Sequence, residues 1–176
     1  WAAALADCRL FHTSGISFGL APHSGYTHNC LRAAFEEAVQ HKPENCLVGL
    51  DYNYRSTLWN PDQARDVMTP ILTDHVDVLI TSIEDMALIY GLDCGQYSAQ
   101  QIVAGDIGPI EDEDIQAFAE EIHSRFNTKI VAITIRYPDT FEQHRWESAA
   151  ADSEGNLFRS PEVKPITLWD RLGGGD

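Results

Sequence analysis

The sequence predicts an α/β fold: a mostly parallel sheet with helices on both faces. It reads as a partial domain in which a β-hairpin precedes a glycine-rich C-terminal end. Three observations carry this. Short, near-continuous apolar runs of strand length alternate with longer amphipathic stretches, the pattern of repeated strand–helix units. Each apolar run is followed by a cluster of polar residues, where an open parallel sheet binds its ligands. Near the end, two short runs flank a turn containing Gly155, as in a hairpin.

The elements follow in order. Cys8 to Ile16 reads as a strand that ends in Ser14-Gly15. Tyr26 to Gln40 reads as a helix with Leu31, Ala34, Phe35 and Val39 on one face. Cys46 to Leu50 is an apolar strand with Asp51 at its C-terminal end. Asn60-Pro61-Asp62 is a helix start (Asn as cap, Pro at the first helical position, an acid in the first turn), and that helix is expected to run to about Leu72. Val76 to Ile80 is the third strand. A helix from Ile83 to Tyr90 follows, closed by Gly91. Asp93 to Pro109 carries little periodicity. Glu111-Asp112-Glu113-Asp114 opens a helix that ends near Phe126-Asn127, its acids well placed against the helix dipole. Lys129 to Ile135 is the fourth strand, and Trp146 to Ala151 with Leu157 to Ser160 forms the hairpin.

Composition narrows the function. With 12 Lys and Arg against 27 Asp and Glu, the net charge is −15, which argues against an extended nucleic-acid footprint. No apolar run approaches the ~20 residues that span a bilayer, so no membrane partner is expected. Nine of the basic residues are Arg, a bias suited to bidentate recognition of phosphate or carboxylate. Cys8, Cys30, Cys46 and Cys94 stand apart, with no metal-ligand spacing, and read as reduced structural thiols of a cytoplasmic protein. The first residue, Trp1, suggests that a segment precedes it.

Two segments carry chemistry. Asp51-Tyr52-Asn53-Tyr54-Arg55 places an amide and a guanidinium two residues apart at a strand end, which suits a phosphate or carboxylate. It is equally served by Arg55 pairing with a helix acid while the tyrosines pack. Asp170-Arg171-Leu172-Gly173-Gly174-Gly175-Asp176 offers bare N–H groups to an anion and a carboxylate beyond them. The plainer reading of three terminal glycines is an unstructured tail.

Asp-x-Asn-x-Arg after a parallel strand, followed about 120 residues later by Asp-Arg-Leu-Gly-Gly-Gly-Asp, resembles the ribokinase-like (PfkB-type) carbohydrate kinases. The stretch from Asp51 to Arg65, Phe11 to Ile16 and Val76 to Ile80 are similar to the sugar-acid branch, the 2-keto-3-deoxygluconate kinases. The resemblance covers essentially all 176 residues and implies that they form the central, incomplete part of such a kinase domain.

The resemblance implies ATP and Mg²⁺ as cofactors and transfer of the ATP γ-phosphoryl group to a hydroxyl of a small-molecule sugar acid. Asp176 would match the catalytic base, and Gly173, Gly174 and Gly175 the anion hole. Asn53, Tyr54, Arg55, Ser82, Thr134, Arg136 and Asp170 would fall on the nucleotide side, and Ser14, Gly15 and Ile16 near the sugar pocket. The family's Asn-x-x-Glu motif stands here as Ser82-Ile83-Glu84-Asp85, with Asp85 an indirect metal partner. Arg136-Tyr137-Pro138 replaces a glycine-containing turn. The family also implies a possible homo-oligomer. A neutral-sugar or nucleoside kinase of the same fold, and a non-catalytic ligand-binding domain, are the alternatives. The 176 residues alone are expected to be inactive.

Overall fold

The structure is a computed structural model that describes residues 1–22, 25, 27–138, 143–161 and 165–167. Among these, seven strands form one sheet. β1 (Leu10–Ser14), β2 (Leu47–Asp51), β3 (Val78–Ser82) and β4 (Ile130–Pro138) run parallel in that spatial order. β5 (Gln143–Asp152) pairs antiparallel to β4, while β6 (Leu157–Arg159) and β7 (Ile166–Thr167) pair antiparallel to β5. The mostly parallel sheet and the hairpin are as the sequence predicts. The hairpin turn is held by Asp152, whose carboxylate accepts from the Glu154 and Asn156 N–H groups.

The helices form where their end signals stand. α1 (Ala2–Leu5) precedes the sheet, and α3 (His28–His41) starts at Thr27, whose hydroxyl accepts from the Cys30 N–H. α4 (Pro61–His75) opens with a reciprocal capping box between Asn60 and Gln63. It runs three residues past the expected stop at Leu72. α5 (Ile83–Tyr90) is capped by Ser82 and closed by Gly91 at φ 70°, with the bounds the sequence predicts. α7 (Asp112–Phe126) ends on Asn127 in the left-handed region.

Three helices were not expected: the short α1 and two others. α2 (Gly15–Leu20) starts at the end of β1, where Ser14 Oγ accepts from the Ile16 N–H, so Ser14-Gly15 is a strand-to-helix junction. Its two glycines hide its helical character from propensity. They are there because the backbone is crowded: a Cβ on Gly15 would lie 2.1 Å from the Tyr52 carbonyl oxygen. α6 (Ala99–Ala104) fills the stretch with little periodicity, nucleated by a Ser98–Gln101 capping box. Six residues are too few to display a repeat.

The core is one cluster in which Phe18 and Phe35 meet Val48, Leu50 and Met68, continuing through Leu79 and Ile122 to Val131 and Ile133. Burial alternates along β4, with Val131, Ile133 and Ile135 covered and Thr134 and Arg136 exposed. Cys46 and Cys94 are buried as expected of structural thiols, but Cys30 is exposed on α3, where the Thr27 hydroxyl lowers its pKa.

At the N-terminal end of the strands, Asp77 ties three of them together. Its N–H donates to the Val48 carbonyl and its carboxylate accepts from the Val48 N–H at 2.9 Å. Its carbonyl accepts from the Lys129 and Ile130 N–H groups, and its carboxylate pairs with Lys129 Nζ at 2.7 Å. Register is therefore fixed at the base, leaving the opposite ends of the strands for a site. Among the described residues no helix is long and apolar enough to cross a membrane.

Candidate active site

The C-terminal ends of β2, β3 and β4 surround a cavity of about 360 Å³. From β2 and the loop after it come Asp51, Asn53 and Arg55. From the end of β3 and the first turn of α5 come Thr81, Ser82, Glu84 and Asp85. From β4 and β5 come Thr134, Arg136 and Trp146. The location is the one that an open α/β sheet provides for ligands.

Each side chain is held there for a local reason. Asn53 has φ 46°, a left-handed conformation that asparagine tolerates better than most residues. That turn sends the chain back, so the Tyr54 N–H donates to the Asp85 carboxylate at 3.3 Å. Ser82 spends its hydroxyl on capping α5 through the Asp85 N–H at 3.0 Å. Glu84 and Asp85 lie in the first turn of the same helix, where its dipole favours carboxylates. Arg136 reaches across from β4, with Nε 3.7 Å from Glu84.

The electrostatics of the cavity are strained. Burial pushes the Asp85 carboxyl up to about 6, opposed by the Tyr54 N–H and reinforced by neighbouring Glu84. Burial also raises Glu84 and Asp51; Arg136 opposes the first shift, His12 and Arg55 the second. Three crowded carboxyls face two guanidiniums, an arrangement that a divalent cation and a polyanion together would relieve. Among the described residues no group of three or more His, Cys, Asp or Glu is placed to hold a metal ion. Asp85 and Glu84 fit Mg²⁺ in its usual protein mode, with one or two carboxylates and the rest of the shell from water and substrate phosphates.

Of the residues singled out from sequence, the structure gathers Asn53, Arg55, Ser82, Asp85, Thr134 and Arg136 around this one cavity. Tyr54 differs. Its side chain turns into the protein, its hydroxyl donating to the Trp59 carbonyl at 3.0 Å, and only its backbone N–H serves the site. Ser14, Gly15 and Ile16 do not line the cavity but stand beside its β2 wall, since Ser14 pairs with Asp51 in register. Asp170, Gly173, Gly174, Gly175 and Asp176 lie outside the described residues.

Asp51, Thr81 and Glu84 belong to the polar strand ends that the sequence points to, without a role of their own there, and Trp146 is the lining residue that sequence reasoning missed. Asp51 was legible as the last residue of its strand, and Glu84 as part of the Ser-Ile-Glu-Asp run. Trp146 had no signal, because only the β4–β5 pairing brings it opposite Arg136.

No protein-family model matches the chain. It is 33% identical over 171 residues to a protein of Haloferax volcanii named 2-dehydro-3-deoxygalactonokinase, covering 97% of this chain and 42% of that one. A solved 2-dehydro-3-deoxygluconokinase of Thermotoga maritima is 28% identical, with a TM-score of 0.67 over 99% of this chain and 47% of the other. A PfkB family carbohydrate kinase from Listeria grayi shares the fold at a TM-score of 0.65 and 21% identity, over 99% of this chain and 46% of its own. The chain thus spans less than half the length of the relatives it matches. Sequence similarity, sheet order and the cavity at the strand ends agree, and together they support a ribokinase-like (PfkB-type) carbohydrate kinase.

Proposed function

We propose that the intact protein transfers the γ-phosphoryl group of ATP to a hydroxyl of a 2-keto-3-deoxy sugar acid. The observation that carries this reading is the convergence of Arg55 and Arg136 with Glu84 and Asp85 in one cavity at the strand ends. Such a cavity suits a polyphosphate with its divalent cation. The names of the relatives supply the acceptor class.

In this mechanism Arg55 and Arg136 bind the phosphate oxygens, and Asn53 offers its amide to them. Glu84 and Asp85 would hold Mg²⁺, which when bound neutralises charge on the phosphates. Asp85, near pKa 6, is ionised once a cation lies beside it. Asp176 takes the proton from the acceptor hydroxyl, whose oxygen bonds to the γ-phosphorus as the bridging P–O bond to ADP breaks. The N–H groups of Gly173, Gly174 and Gly175 receive the charge that builds on the transferred group. The acceptor lies on the β1 side, near Ser14, Gly15 and Ile16.

ADP release by the intact protein against a panel of sugar acids, neutral sugars and nucleosides tests this, with Asp176→Asn in parallel. Selective turnover of a 2-keto-3-deoxy sugar acid, lost in the variant, is the expected result. Turnover of a neutral sugar removes the acceptor assignment, and a folded protein with no turnover on any acceptor overturns the reading.

A further inference from the structure

We propose that Trp146 is a contact residue for the nucleoside part of the phosphoryl donor, an inference that rests on the kinase reading above and assigns one wall of its site. β3 pairs with β4 only as far as Ser82 and Thr134. The β4–β5 pairing continues beyond, through Arg136 with Trp146 to Pro138 with His144. A two-stranded arm therefore projects past the end of the parallel sheet, alongside the cavity.

The period of a strand decides which residues face inward. Thr134 and Arg136 share one face of β4, and Trp146 is the β5 partner of Arg136, so it shares that face. Val131, Ile133, Ile135 and Tyr137 take the other face, into the core. The Trp146 indole is half-buried and its ring is tilted against that of His144, with centroids 5.4 Å apart. His144 is itself buried, so the indole rests on a fixed neighbour.

The chemistry of the cavity changes across the strand order. Beside β3 are the carboxyls of α5, on β4 is the Arg136 guanidinium, and on β5 is the indole. The first two suit a metal–polyphosphate; the third, a flat apolar surface with one N–H donor, suits an uncharged ring system. Along a bound donor, the part that follows the phosphates is the nucleoside. Trp146 lies on the strand that comes next, about 5 Å further along the sheet.

The test uses the intact protein and the variants Trp146→Ala and Trp146→Phe. With Trp146→Ala the KM for ATP is expected to rise about tenfold, while kcat and the acceptor KM stay within twofold. Trp146→Phe, which keeps a ring, is expected to restore most of the donor affinity. ATP is expected to quench tryptophan emission in the wild type, and the part absent from Trp146→Phe is not reproduced by inorganic tripolyphosphate. An unchanged KM for ATP in Trp146→Ala, or a rise confined to the acceptor, overturns the proposal while leaving the kinase reading standing. An ATP-dependent quench from Trp146 in a protein that turns over nothing leaves this inference standing and removes the other. A wild type that does not bind ATP removes both.

Discussion

Asp85 stabilises the ligand-free protein least at the pH where its chemistry is needed. Its carboxyl titrates near 6 instead of its ordinary 3.8, with burial the main cause. The sign follows from linkage. Between the two values the folded state binds more protons than the unfolded chain, so stability falls as pH rises through that window and is level above it. At 1.36 kcal/mol per pH unit, the ionised form costs about 1.5 kcal/mol at pH 5 and about 3 kcal/mol at pH 7. Asp85→Asn removes the charge and keeps an oxygen to accept the Tyr54 N–H. Urea unfolding of wild type and variant at pH 5 and pH 7, without nucleotide or metal, measures the effect. The variant is expected to be the more stable at both pH values, by a margin about 1.3 kcal/mol larger at pH 7. It is also expected to lose Mg²⁺-dependent ATP binding. A variant destabilised equally at both pH values would refute the reasoning, because the carboxylate would then be a structural anchor and not a strained ligand.

Two further outcomes are expected. Gly15→Ala drives a methyl into the Tyr52 carbonyl, which is backbone and cannot rotate away; a loss of about 3 kcal/mol should appear as a melting temperature lowered by roughly 10 °C in a thermal scan. Arg159 pairs with Glu147 at 2.5 Å and Asp112 at 2.7 Å and donates to the Ile110 carbonyl at 2.9 Å. Arg159→Met strands the mostly covered Glu147 carboxylate and should cost about 2 kcal/mol in urea unfolding, part of it recovered by adding Glu147→Gln.

The parts of the molecule that the sequence made legible are those whose signals are local. The Asn60-Pro61-Asp62 start, the Ser82 and Gly91 ends of α5 and the Asp152–Asn156 turn each depend on a few adjacent residues. The first three strands were legible as apolar runs, with bounds displaced by a residue or two, whereas β5 starts three residues before the expected Trp146 and β7 had no signal. α2 was not, since its glycines answer to Tyr52 and Trp59, which pack against it from distant parts of the chain. The extension of β4 to Pro138 was hidden too. Arg136 and Tyr137 look like the end of a strand until Trp146 and Arg145 pair with them. In the site, the loop after β2 announced itself by composition. The inward turn of the Tyr54 ring and the arrival of Trp146 depend on tertiary pairing that no local pattern encodes.

The knot that Asp77 makes at the base of the sheet has a consequence for how such a cavity can be altered. Side chains on a strand alternate faces, so a slip of one residue in β3 against β2 or β4 would exchange every group it presents at the mouth. Asp77 bonds to β2 and β4 at once, far from the cavity, and blocks that slip without touching any group that lines it. Alignment and chemistry are thus entrusted to opposite ends of the same strands. Residues at the mouth can be exchanged while the frame stays in register, which makes the strand ends the natural place to begin redesigning this domain.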